Sequence, residues 1–223
     1  MIYCRDLNII FLKTKKVGGT SFEIALSKYC DENDIVTPIS PEDENTRASL
    51  GYQKPVNYNM QNRSNNLLNL GVTGNFRNHM TSEEIRQNLG DDIFRKCKKI
   101  AIHREPLDFL ISQYWFRLRN KKKIEQVSFR LWLETNYKNF LENHKIAPLG
   151  ARNAPDVVIN YHSIADDIKN ITELPIDFFE TFSALRAKGS YRPPDTKDSI
   201  EFFQDNNCED FIPIINELSD SVG

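Results

Sequence analysis

A membrane-spanning apolar stretch is missing from this 223-residue chain. The run Leu7 to Leu12 near its start follows the charge pair Arg5-Asp6 and is too short for a signal or a span, so a soluble, cytoplasmic protein is expected. A dominant charge is missing too: 29 basic against 31 acidic residues leave a formal net charge of −2. That argues against a general nucleic-acid binder, though not against a local basic pocket. Cysteine is scarce, and Cys4, Cys30, Cys97 and Cys208 lack C-x-x-C spacing or a nearby histidine pair. Neither a zinc site nor a disulfide framework is indicated, and buried or idle thiols are expected. No internal repeat, low-complexity tract or break in composition marks a second domain, so residues 1–223 read as one.

What is present is punctuation of a particular kind. Lys16-Val17-Gly18-Gly19-Thr20-Ser21 follows the apolar run directly and leads into a helical pattern in which Phe22, Ala25, Leu26 and Tyr29 share a stripe. A strand, a glycine turn and a helix start form an anion cradle: glycine lets backbone N–H groups face an oxyanion, and the first helical turn leaves donors unpaired. The segment is not a Walker loop, whose lysine follows the second glycine, because Lys16 precedes both.

Leu7 to Leu12, Ile100 to Ile102 and Val157 to Ile159 are apolar without alternation, which suits strands of a parallel sheet buried on both faces. Helical patterns separate them. One carries Leu107, Leu110, Ile111, Tyr114, Trp115 and Leu118 on its apolar stripe, and Trp115 is read as core. The expected architecture is α/β, a single domain with a central parallel β-sheet flanked by helices. Pro41 to Asn66, rich in Asn, Gln, Pro, Arg and acids, reads as a long irregular excursion. Thr81 opens a helix with Glu84 completing a capping box.

Arg104 stands just after the strand Ile100 to Ile102, and Pro106 suits the first turn of the helix that carries Ser112. Open α/β sheets bind ligands at the carboxyl edge of their strands, the edge where the Gly18-Gly19 turn lies if the two strands are parallel. Arginine supplies a fork for a phosphate and Ser112 a further donor. Two anion sites then face one crevice.

These residues resemble a family, the sulfotransferases that use 3′-phosphoadenosine 5′-phosphosulfate (PAPS), in particular the carbohydrate type and its small bacterial relatives. The segment Phe11 to Ser21 looks like the family's 5′-phosphosulfate loop, P-K-[TV]-[GA]-G-T-[ST]. His103-Arg104-Glu105-Pro106 with Ser112 is similar to its 3′-phosphate motif, R-[DN]-P with a serine eight residues after the arginine. His79, about two dozen residues ahead of Arg104, stands where related enzymes have a catalytic histidine. Lys15 replaces the usual proline, Lys13 adds a charge, Glu105 replaces Asp or Asn, and His103 is a rival to His79. The resemblance spans residues 7 to 118 and continues weakly to the basic loop near Lys188.

The resemblance implies a P-loop-like sulfotransferase fold and a sulfuryl transfer from PAPS, as donor co-substrate and without metal, to a hydroxyl acceptor, a carbohydrate above all. Val17, Gly18, Gly19, Thr20 and Ser21 would hold the 5′-phosphate, with Lys16 or Lys15 neutralising the leaving oxygen. Arg104 and Ser112 would bind the 3′-phosphate, Lys188 and Arg192 would close over it, and Tyr191 would stack on the adenine. His79 would be the general base. His144 and His162 are read as structural or exposed, and the basic run Arg117, Arg119, Lys121, Lys122 and Lys123 as a solvated face or an acceptor site. The alternatives are a nucleotide kinase of the P-loop type, for which the Walker lysine is absent, and a noncatalytic nucleotide-binding relative.

Overall fold

In the computed structural model, residues 1–119, 127–185, 192–193, 196 and 198–222 are described. The chain opens with a hairpin. Strands β1 (Ile2–Cys4) and β2 (Ile9–Leu12) pair antiparallel, with Ile2 opposite Phe11. Asn8 closes the turn with a positive φ of 56° and donates its amide to the Arg5 carbonyl at 2.9 Å, a backbone state that asparagine tolerates better than most residues. Helix α1 (Gly19–Ser27) follows β2, and a two-residue strand β3 (Ile35–Val36) returns antiparallel to β1.

Residues 41–66, expected to be irregular, contain helix α2 (Pro41–Ser49), a 3-10 turn over Met60–Asn62 and the start of helix α3 (Asn65–Asn69). The composition hid α2 because it has almost no apolar stripe. Its signals lie at the ends: Pro41 in the first turn, acids at Glu42, Asp43 and Glu44, and Arg47 in the last turn, all favourable to the helix dipole. Helix α4 (Ser82–Leu89) carries the expected capping box, with the Glu84 amide donating to Thr81 Oγ1 at 3.2 Å and the Thr81 amide to Glu84 Oε2 at 2.8 Å. A short helix α5 (Asp91–Lys96) leads into β4 (Lys98–His103) and then α6 (Pro106–Leu118). Beyond them lie α7 (Phe129–Asn136), α8 (Leu141–Ile146), β5 (Val157–Asn160), α9 (Ile164–Lys169), α10 (Phe178–Ser183), α11 (Ser199–Asp205) and α12 (Phe211–Asp220).

The sheet order is β3-β1-β2-β4-β5. The three strands expected to be parallel are so, with Phe11 beside Ile100 and Ile102 beside Ile159. The sheet as a whole is mixed, because the antiparallel β1 and β3 extend it on the side of β2. They escaped the sequence reading because β1 is three residues long and β3 two, too short for any periodicity to register. Two further corrections apply. The second strand begins at Ile9, since Leu7 and Asn8 belong to the hairpin turn. The last strand is an edge with Val158 44% exposed, so only Ile159 of β5 is fully buried.

Strand alternation sorts the core into two layers. Ile9 and Phe11 face α1, α9 and α10, where Phe22 stacks on Phe11 with ring centroids 4.3 Å apart and meets Phe178 at 4.9 Å. Ile10 and Leu12 face the opposite layer, with Leu67, Phe76, Ile85 and Phe94. A third cluster joins α6 to α7, α11 and α12 through Phe129, Trp132, Phe203 and Ile215, and Trp115 packs against it as expected. Helix α1 starts at Gly19, three residues earlier than the apolar stripe indicates, and all its residues but Thr20 are buried. Its first turn is fixed by the glycine turn rather than by hydrophobic spacing.

Truncating Phe22 to alanine removes the ring that joins β2 to α10. A loss of about 3–5 kcal/mol is expected, measured by urea denaturation, with the circular dichroism of the folded state retained.

Candidate functional site

Because β2 and β4 run parallel, their carboxyl ends reach one edge of the sheet, and the segments leaving them are tied together. Thr14 Oγ1 donates to the Ile102 carbonyl at 2.5 Å. Beyond it the chain makes a tight bend: Lys16 and Gly18 both have positive φ, 61° and 73°, and Gly18 caps α1 with its carbonyl accepting the amides of Ser21 and Phe22. A side chain at Gly18 would be strained by the φ alone, and a Cβ on Gly19 would come within 3.2 Å of Lys13 Cγ. Gly18 is therefore required by the backbone of the turn, while a side chain at Gly19 needs Lys13 to shift by a few tenths of an ångström, and the N-terminus of α1 opens outward with the positive end of its dipole.

The two lysines of the turn separate. Lys15 is drawn sideways: its amide donates to Asn143 Oδ1 at 2.7 Å, its carbonyl accepts from Asn143 Nδ2 at 3.0 Å, and its ammonium pairs with Glu142. Lys16 Nζ instead lies 3.7 Å from the Phe116 ring centroid, a cation–π contact inside the cleft. Both lysines line the cleft, but only Lys16 has its ammonium over the cleft's aromatic floor.

Arg104 follows β4 and is 7% exposed. Its Nη1 donates to the Lys16 carbonyl at 2.7 Å, its Nε to Asp108 Oδ2 at 2.6 Å, and its guanidinium stacks 4.0 Å from the Tyr161 ring centroid. Among the described residues Nη2 has no protein acceptor. Asp108 sits one turn into α6 and also accepts from Arg192, with His162 Nε2 3.3 Å from its Oδ2. Burial alone would raise this carboxyl; the guanidinium groups of Arg104 and Arg192 overcome it and hold the carboxyl below its ordinary range. Glu105, the departure from the sulfotransferase motif, caps α6 by accepting the amides of Leu107 at 3.1 Å and Asp108 at 2.8 Å.

His79 occupies the opposite wall with a positive φ of 59°, and its Nδ1 lies 2.9 Å from the Lys13 carbonyl. A carbonyl only accepts, so Nδ1 carries the proton and Nε2 is the basic nitrogen. Burial, assisted by the Lys13 ammonium, lowers its pKa to about 4, against the pull of the Lys13 hydrogen bond. Lys13 itself is spoken for: its ammonium pairs with Glu23, a carboxylate with no exposure that also binds the Met1 ammonium at 2.5 Å. Burial would raise Glu23, but the two ammonium groups outweigh it and bring it to about 2. Asn78 joins the same network through Lys13 Nζ at 3.3 Å and Thr37 Oγ1 at 3.3 Å.

The result is one cleft of about 700 Å³, within the usual range for small-molecule sites. Lys15, Lys16, Val17, Gly18, Gly19, Thr20, His79, Arg104 and Ser112 all line it, with Asn78, Phe116, Arg117, Arg119 and Tyr161. Ser21 is buried in the first turn of α1 beneath it. Arg192 does not line the cleft but pairs with Asp108, which holds Arg104, whereas Lys188 and Tyr191, like Lys121, Lys122 and Lys123, lie outside the described residues. His103 is not in this cleft; it faces His144 across 6.3 Å in a separate cavity of about 10 Å³. His162 is 59% exposed at its side chain. Asp108 was legible as the acid in the first turn of the helix that follows Arg104, but Asn143 and Tyr161, brought in from distant segments, carry no sequence signal. Among the described residues, no helix is long and apolar enough to cross a membrane.

Two measurements probe this geometry. By nitrogen-15 NMR the His79 ring is expected to stay neutral with Nδ1 protonated down to about pH 4; titration near pH 6.5 would contradict the buried placement. Glu23, with its folded pKa depressed, stabilises the protein above about pH 4.3, the ordinary glutamate value, and that contribution is lost as pH falls through about 2. Glu23→Gln is expected to cost about 3–5 kcal/mol at neutral pH and to flatten acid unfolding over that window. In comparisons with known proteins, no family model matches the chain, and neither a curated protein nor a solved structure does.

Proposed function

We propose that the protein is a PAPS-dependent sulfotransferase that moves a sulfuryl group to a hydroxyl acceptor, with a carbohydrate as the acceptor class. The observation that carries this is the hydrogen bond from Arg104 Nη1 to the Lys16 carbonyl at 2.7 Å. It sets a guanidinium beside a glycine turn at a helix N-terminus, two anion-binding elements in one cleft. PAPS carries two separate anionic groups, a 3′-phosphate and a 5′-phosphosulfate, on one adenosine, and ATP lacks the first of them.

In this reading the amides of Gly18, Gly19 and Thr20 and the Thr20 hydroxyl hold the 5′-phosphate at the N-terminus of α1, and the Ser21 amide, bonded to the Gly18 carbonyl, closes the turn behind them. Arg104 offers its Nη2 to the 3′-phosphate, Ser112 adds a hydroxyl, and Asp108 keeps the guanidinium in place. The acceptor oxygen attacks sulfur as its proton passes to His79 Nε2. The bond from sulfur to the bridging oxygen breaks, and its electron pair stays on the 5′-phosphate, where Lys16 neutralises it. Catalysis is then positioning and electrostatics, as in phosphoryl transfer. The low His79 pKa keeps the imidazole unprotonated at neutral pH, and the negative donor beside it raises its basicity when bound.

Calorimetry with adenosine 3′,5′-bisphosphate against ATP tests the donor assignment, with the bisphosphate expected to bind more tightly; preference for ATP would refute it. Arg104→Ala is expected to weaken that binding by about 10- to 100-fold, the worth of a charged hydrogen bond of about 1.5–3 kcal/mol. His79→Ala is expected to lower sulfuryl transfer by about 10²–10⁴-fold with bisphosphate affinity nearly unchanged. Equal transfer in both proteins would remove His79 from the proton-accepting role.

A further inference from the structure

The sequence spaces its cysteines too widely for a metal motif, yet the fold brings two of them together. Cys4 lies in β1, Cys30 just past the C-terminus of α1, and Asp34 in the loop before β3. Two thiol sulfurs and a carboxylate oxygen, one from each residue, all lie within 4.8 Å of one another. This is the end of α1 opposite the glycine turn. We propose that Cys4, Cys30 and Asp34 form a site for a thiophilic divalent cation of the zinc class.

The donor set fits that class. Thiolates select soft or borderline cations, and a carboxylate oxygen is an accepted third ligand of zinc. Around a tetrahedral zinc with Zn–S bonds of about 2.3 Å, two sulfurs stand about 3.8 Å apart, so closure moves the ligand atoms by on the order of 1 Å at most. Cys4 is fully buried while Cys30 is half-buried, which leaves the Cys30 side for entry and for a water in the fourth position.

The carriers of the ligands are already held. Asp34 Oδ1 accepts the Arg5 amide at 2.7 Å and Oδ2 the Asp31 amide at 2.8 Å; each oxygen retains a lone pair for a metal. Asn57, 1% exposed, fixes the loop from behind by donating to the carbonyls of Glu32 at 2.7 Å and Asp34 at 2.8 Å. Asp34 is 2% exposed, and among the described residues no cationic side chain pairs with it. A carboxylate so enclosed lacks a positive partner, which a bound cation supplies. The thiols now donate to the carbonyls of Tyr29 and Leu26, both at 3.4 Å. Binding releases both thiol protons to solvent, leaving two thiolates and one carboxylate around the cation. The bound metal would staple the hairpin, the foot of α1 and the loop before β3.

The test uses the reduced full chain, with cobalt(II) as a spectroscopic probe and zinc as competitor. One equivalent of cobalt is expected to give a thiolate-to-cobalt charge-transfer band that zinc abolishes and magnesium does not. Zinc is also expected to shield the half-buried Cys30 thiol from a thiol reagent, the other three thiols being already buried. Cys30→Ser should weaken zinc binding by about 100-fold or more, beyond the 10- to 100-fold typical of outer-sphere changes, while Cys208→Ser leaves it unaltered. Absence of the charge-transfer band, an unshielded Cys30 thiol in the parent chain, unchanged affinity in Cys30→Ser, or a Cys4–Cys30 disulfide forming under excess zinc would each overturn the site. The thiol-shielding result in the parent chain is decisive even if a variant fails to fold, and no arm depends on sulfuryl transfer.

Discussion

One guanidinium joins what the chain separates by nearly ninety residues. Arg104 leaves β4, yet through Nη1 it supports the carbonyl of Lys16, a residue in left-handed backbone conformation at the sharpest point of the turn after β2. Without that support the bend would carry its strain alone, at a cost of order 1 kcal/mol or more for a non-glycine residue in that region. Asp108 fixes the other side of the same guanidinium and ties Arg192 to it. The ends of two strands, the start of α6 and the segment at Arg192 thus share a single buried ionic knot.

A second knot lies near His79, where the buried Glu23 carboxylate pairs with Lys13 and with the Met1 amino group, whose pKa burial lowers to about 6. Such a group is costly to break and of modest net worth when intact. What it does here is geometric. Lys13 supplies the carbonyl that orients His79, and Asn78, next to His79, accepts from Lys13 as well. The backbone strain at His79 is held by its own ring's contact with Lys13 and by Asn78 before it.

The legible part of this fold was the part written in local chemistry. Gly18-Gly19 after an apolar strand, Pro106 at a helix start and the Thr81/Glu84 box each act within a few residues, and each stands where the sequence puts it. Parallel pairing of β2, β4 and β5 followed from their apolar runs, and with it the shared edge of Lys16 and Arg104. What was hidden depends on distance or on missing periodicity. Strands β1 and β3 are too short to show a pattern, α2 is too polar to show a stripe, and nothing near Lys15 announces Asn143 as its partner. His79 was preferred to its rival His103 on its place in the string, and the third dimension puts His79 in the cleft and His103 against His144. Cys4 and Cys30 were written as strangers for the same reason.

The placement of β2 also has a temporal meaning. Its antiparallel neighbour β1 is made before it, but β4, its parallel neighbour, begins at Lys98, eighty-six residues after Leu12. At ribosomal speeds of about 5–20 residues per second that interval is on the order of 10 s. Through it the growing polypeptide carries Ile9 to Leu12 with one margin of backbone donors and acceptors unmatched, a surface on which a chaperone would find its opportunity.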